Sequence, residues 1–126
     1  MTEQPSTREI VADRAEESIV QAASFAAEGA RIVCHFQLSS VPTIYAVTAE
    51  FYTAAYAMQT AADNMIRDLT RMADEGGLYD SRPEVDPKEA IEKAKGALAR
   101  AASRAEQLGN ALQVAQNEIA GVGHRD

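Results

Sequence analysis

Between residues 91 and 119, apolar or small side chains recur at alternating steps of three and four: Ile91, Ala94, Leu98, Ala101, Ala105, Leu108, Leu112, Ala115 and Ile119. Four heptads without a miss lay these residues along one stripe of an α-helix, whereas a strand would need a period of two. The segment is therefore committed to a helix that packs lengthwise on other helices. The same spacing occurs twice upstream. One run uses positions 12, 15, 19, 22, 26, 29, 33 and 36, widened by Val11, Phe25 and Ile32. The other uses Ile44, Thr48, Phe51, Ala55, Met58, Ala62, Met65, Leu69 and Met72, with Tyr45, Tyr52, Ile66 and Ala73 on one shoulder. That second run is the widest apolar face in the chain.

The ends of these runs are also spelled out. Ser6-Thr7-Arg8-Glu9 has the form of a capping box, in which a hydroxyl and a carboxylate satisfy amides that the first turn leaves unpaired. Leu38-Ser39-Ser40-Val41-Pro42 breaks the first run, and Pro in a first turn starts the next. Gly76-Gly77-Leu78 matches a Schellman-type stop. Asp86-Pro87-Lys88-Glu89 supplies a capping acid, Pro at the first helical position and Glu at the third, and Gly121 and Gly123 close the last run. These signals predict helix one over about 7–38, helix two over about 41–75, an irregular loop over 76–86 and helix three over about 87–120. The expected fold is all-α: a single domain over 1–126, built as an elongated antiparallel three-helix bundle, or a helical hairpin plus a third helix, with coiled-coil-like heptad packing.

Core material is scarce. Leu, Ile, Val and Phe number only 24 of 126, and 25 of the 58 hydrophobic residues are Ala, which favours helices but buries little area. A thin core in a small helical protein is commonly completed by another chain, so a protein partner is expected, in the first instance a homo-oligomer. The net charge of -7 argues against nucleic acid, whose phosphates are held by Lys and Arg. One cysteine allows no internal disulfide framework, which makes a reducing cytoplasm the simplest compartment; secretion by a route independent of a signal peptide is the alternative, since "MTEQPSTREI" carries no basic-then-apolar signal. Abundant Ala, with Arg as the main base outside residues 88–95, points to a high-GC bacterial genome.

Residues 30–49, "ARIVCHFQLSSVPTIYAVTA", contain the single cysteine and, past Arg31, no acidic or basic side chain. A membrane helix needs about 20 mostly apolar residues, and His35, Gln37, Ser39, Ser40, Pro42, Thr43 and Thr48 interrupt this one, so no membrane insertion is expected. Cys34 and His35 are neighbours, and neighbours on a helix diverge by about 100 degrees, so they cannot form a thiol–imidazole pair. The stretch reads as a corner between helices, with Cys34 buried and inert and His35 partly buried.

No catalytic, cofactor-binding or metal-binding set emerges, and neither enzyme activity nor a cofactor is expected. There is no Glu-x-x-His, neither His35 nor His124 has another histidine at helical spacing, and the Gly-rich phosphate motifs and Gly-x-Ser-x-Gly are absent. His124 reads as part of a solvated tail. Lys93, Arg100 and Arg104 form a basic strip on helix three, either pairing with the acid-rich helices one and two or serving as a contact strip. Tyr45, Tyr52 and Tyr56, spaced by seven and four, read as a core stripe or as a surface buried on association, and Met58, Met65 and Met72 as adaptable packing. The interface candidates are Tyr45, Tyr52, Tyr56, Met58, Leu108 and Leu112, the two leucines being consecutive seam positions.

In size, alanine content and hairpin layout the chain resembles the small acidic helical-hairpin proteins of type VII secretion. It lacks their Trp-x-Gly turn, having no Trp and "SSVP" at the corner, and lacks their Tyr-x-x-x-Asp/Glu signal, since Tyr45 and Tyr79 each precede a Glu by five. The function expected from the residues is a non-enzymatic, self-associating interaction or assembly module, an adaptor, structural or regulatory subunit. The alternatives are a secreted type VII-like protein and a ligand-binding helical bundle, which would need an internal apolar cavity.

Overall fold

The structure is a computed structural model that describes residues 7–125, with side chains from residue 16 onward. It is all-α, with three helices in chain order: α1 (Thr7–Cys34), α2 (Val41–Glu75) and α3 (Pro87–Ile119). The chain separates into two compact units, Met1–Leu38 with α1 and Ser39–Asp126 with α2 and α3. The expected capping box at Ser6 lies outside the described residues.

Helix α1 stops four residues before the expected end. Its last turn tightens, His35 donating to the Ile32 carbonyl and Phe36 to that of Val33, and the chain leaves the helix. Arg31, in the last turn, pairs with Glu28. Along α1 the large apolar side chains Ile19, Val20, Phe25 and Ile32 are exposed.

Helix α2 begins at the position that Ser40 and Pro42 predict. Ser40 is extended (φ -141°, ψ 148°) and its hydroxyl accepts from the Thr43 amide at 3.2 Å, satisfying one of the amides that a helix start leaves orphaned. Pro42 sits in that first turn, where no amide partner is needed. Helix α3 starts by the same logic: Asp86 accepts from the Lys88 amide at 3.0 Å, and Pro87 is the first helical residue. Between them, α2 ends at Gly76 (φ 79°, ψ -175°) and Gly77 (φ 82°). The positive φ requires glycine as expected, but the extended ψ of Gly76 is not the left-handed helical cap of a Schellman turn.

Helices α2 and α3 pack extensively on each other. They run antiparallel: Ala55 lies beside Gly109, Ala73 sits near Asp86 and Pro87 at the loop end, and the amide of Val41 donates to His124 Nε2 at 3.0 Å at the other end. His124 is exposed, as expected of a solvated tail, and in addition its ring accepts from the first residue of α2.

Small residues close the hairpin. Thr48, Ala55, Ala62, Ala102 and Gly109 are its buried positions, spaced by sevens on each helix. Thr48 fits there because its hydroxyl donates to the Ile44 carbonyl at 2.7 Å, leaving only its methyl group to pack. Among the described residues no large side chain is fully buried. Every ion pair among the described side chains is local in sequence, as with Asp68–Arg71–Glu75 and Glu89–Lys93, so none ties α2 to α3. Apolar packing along the two helices, with Thr, Ala and Gly at the buried positions, therefore holds the pair together.

Gly109 provides a test of that packing. A Cβ built there would meet the Ala55 Cβ at 3.7 Å, an ordinary contact. Gly109→Ala should therefore stabilise the hairpin by about 0.5–1 kcal/mol, the usual cost of glycine inside a helix. Gly109→Leu should destabilise it by forcing the helices apart. Thermal melts of the two variants should move in opposite directions.

Candidate interaction face

The seam occupies two columns on each helix, and these are not the two that hydrophobicity alone selects. On α2 the inward columns are Thr48, Ala55, Ala62 and Leu69, then Tyr52, Gln59, Ile66 and Ala73, each residue buried or half-buried. On α3 they are Ile91, Leu98, Ala105, Leu112 and Ile119, then Lys95, Ala102, Gly109 and Gln116. The expected seam through Ala94, Ala101, Leu108 and Ala115 is corrected by one position: all four are exposed. Leu108 and Leu112 are thus not consecutive seam residues, for Leu112 lies in the seam and Leu108 is 50% exposed. The reason is steric. The column with Ala102 and Gly109 lets the backbones approach, whereas Leu108 in that place would hold them apart.

Displaced from the seam, the remaining apolar columns share one side of the hairpin. Two antiparallel helices are related locally by a two-fold axis normal to their common plane, so matching columns on the two helices emerge on the same side. The α2 column is Ile44, Phe51, Met58, Met65 and Met72, and the α3 column is Ala94, Ala101, Leu108 and Ala115; each lies three residues beyond the first seam column of its helix. Met58, Met65 and Met72 are 55%, 48% and 41% exposed. No acidic or basic residue interrupts either column. The opposite side of the hairpin carries Tyr56, Asp63, Glu106 and Gln113, all exposed.

The other sequence candidates are distributed accordingly. Tyr45, 38% exposed, and Tyr52, half-buried, belong to the second inward column of α2, while Tyr56, 67% exposed, lies on the polar side, so the three tyrosines do not form one core stripe. Lys93 pairs with Glu89 of its own helix at 3.3 Å, and Arg100 and Arg104 make no ion pair among the described side chains. Lys95, part of the same basic run but not of the strip, has a side chain only 21% exposed along the seam and pairs with Glu92 at 3.2 Å. Its long apolar stem makes this placement tolerable, with the ammonium kept at the rim. Cys34 and His35, expected to be buried and partly buried, are both exposed.

Convergent polar chemistry is sparse. Among the described residues no three His, Cys, Asp or Glu side chains gather as a metal site, and no helix is long and apolar enough to cross a membrane. The cleft at the hairpin corner, lined by Ala73, Gly76, Gly77, Leu78, Asp86, Pro87 and Lys88, has a volume of about 120 Å³ and opens at the surface.

The loop between α2 and α3 holds one well-formed clasp. Arg82 donates from Nε and one terminal nitrogen to the two carboxylate oxygens of Asp80, at 2.9 and 2.7 Å, and its amide donates to the same group at 2.8 Å. The side-chain bonds from Arg82, and then its amide bond, lower the Asp80 carboxyl from 3.8 to about 2. A depressed carboxyl stabilises the folded loop above its unfolded value, and that contribution fades as pH falls from about 4 through about 2. The Arg82 Nε–H resonance should therefore titrate with a midpoint near 2, and a midpoint near 4 would show that the clasp does not form. No family model, curated protein or solved structure matches the chain.

Proposed function

We propose that this protein is a non-enzymatic helical interaction module that self-associates and serves as an assembly, adaptor or regulatory subunit. The observation that carries the reading is the uncharged face of the α2–α3 hairpin, where Ile44, Met58, Met65, Met72 and Leu108 are each 40–55% exposed beside a seam that fully buries no large side chain. Contiguous apolar patches of this kind mark surfaces that become covered by another protein. Methionine suits such a surface, because its flexible thioether side chain adapts to what it meets. Sedimentation velocity of the full chain over about 5–100 μM tests the reading. A species heavier than the 13.5 kDa monomer is expected, and a monomer throughout that range would refute self-association.

A further inference from the structure

The apolar face has a shape that selects its occupant. Its α2 side is built of large residues, Ile44, Phe51, Met58, Met65 and Met72, and its α3 side of small ones, Ala94, Ala101 and Ala115, with Leu108 as the exception. One flank stands as a ridge and the other lies as a groove. With Ala55 beside Gly109, Met65 and Met72 stand near the levels of Ala101 and Ala94, Phe51 near Ala115, and Met58 near Leu108.

Resting on the self-association reading, we propose that two copies join these faces about a two-fold axis parallel to the helices, so that α2 of each copy lies on α3 of the other. Such an axis preserves level and exchanges sides. The ridge of each copy therefore enters the groove of the other, with Met65 over Ala101, Met72 over Ala94 and Phe51 over Ala115, and every adjacent helix pair is antiparallel. A two-fold axis perpendicular to the helices would instead set methionine on methionine and leave the alanine columns facing each other across a void, which close-packed interiors do not tolerate. The size of the face fits as well. Helices of this length give a face roughly 45 Å long and about 18 Å across two packed helices, on the order of 800 Å² per copy, which is what a standard stable interface buries. The absence of charge along both columns means that two acidic chains can meet here without burying an unpaired ion.

The test uses two single substitutions at exposed positions, Leu108→Glu and Met58→Lys, analysed by sedimentation velocity and circular dichroism. The wild type should be a dimer. Each variant alone should sediment as a monomer with its helical signal retained, because neither residue lies in the α2–α3 seam. An equimolar mixture of the two should recover a dimer, since Met58→Lys of one copy then faces Leu108→Glu of the other. A monomeric wild type would overturn both this proposal and the self-association reading. A dimer that persists in both variants, or in either one, would leave self-association standing and show that it uses another surface. Two monomeric variants that fail to pair on mixing would overturn the ridge-in-groove arrangement. Should either variant lose its helical signal, the same mixing test applies to Met65→Lys with Ala101→Glu, and failure of that pair to recombine overturns the proposal equally.

Discussion

Replacing Ala55 with aspartate should abolish the α2–α3 hairpin. Ala55 is 1% exposed, and its Cβ faces Gly109 across the seam. A carboxylate there has no cation to meet. Lys95, the one basic side chain along the seam columns, stands about two heptads away, roughly 20 Å along the helix axis. An unpaired charge taken out of water costs several kcal/mol, and the added atoms must also push apart the backbones that alanine and glycine hold close. Small domains have about 5–15 kcal/mol of stability, and a seam with no fully buried large side chain belongs at the low end of that range. Circular dichroism should show loss of most of the helical signal at room temperature. Ala57→Asp is the control, since Ala57 points outward from the same helix and should shift the melting midpoint by only a few degrees. If Ala55→Asp melts within a few degrees of the wild type, the seam does not run through Ala55.

The second large loss is expected at the end of α2. Gly76 combines φ 79° with ψ -175°, a region open essentially to glycine alone, and Gly77 follows at φ 82°. An L-residue at either position should cost about 1–3 kcal/mol, more for a β-branched side chain, and Gly76→Val should lower the melting midpoint by about 5–15 °C. A Cβ at either position would meet nothing within 4 Å, so the penalty is purely one of backbone handedness. A semisynthetic chain with D-alanine at Gly77 separates the two causes. D-alanine favours positive φ and narrows the unfolded ensemble, so it should match or raise the wild-type midpoint while L-alanine lowers it. Equal destabilisation by both isomers would show that crowding, and not handedness, demands glycine there.

Helix number, class and most boundaries were legible in residue order, because the signals that set them act within a few residues. Ser40 and Asp86 accept from amides two or three residues on, as their positions before Pro42 and Pro87 imply. The end of α1 was the exception. Periodicity ran on to Phe36, but the last helical residue is Cys34, because a repeat of side chains says which face would be buried and not where the backbone leaves the helix. His124 was illegible for a different reason: its partner is the Val41 amide, 83 residues earlier, and no local pattern encodes a contact that exists only once the helices lie antiparallel.

The candidate face shows the same division. Residue order by itself determined that α2 carries an apolar surface three columns wide and that α3 carries a heptad stripe, since side-chain chemistry and a turn of 3.6 residues suffice for both. It could not determine which two of those columns meet. Hydrophobicity favours the column of Leu108 over that of Gly109, and on that ground alone Lys95 and Gln116 would never be placed along a seam. Only the pairing of two helices decides the matter. The backbones approach most closely where side chains are smallest, so Ala102 and Gly109 turn inward against Ala55 and Ala62. The larger side chains, Met58, Met65, Met72 and Leu108, are thereby left together on one side of the hairpin, an outcome of packing in three dimensions that neither helix specifies alone.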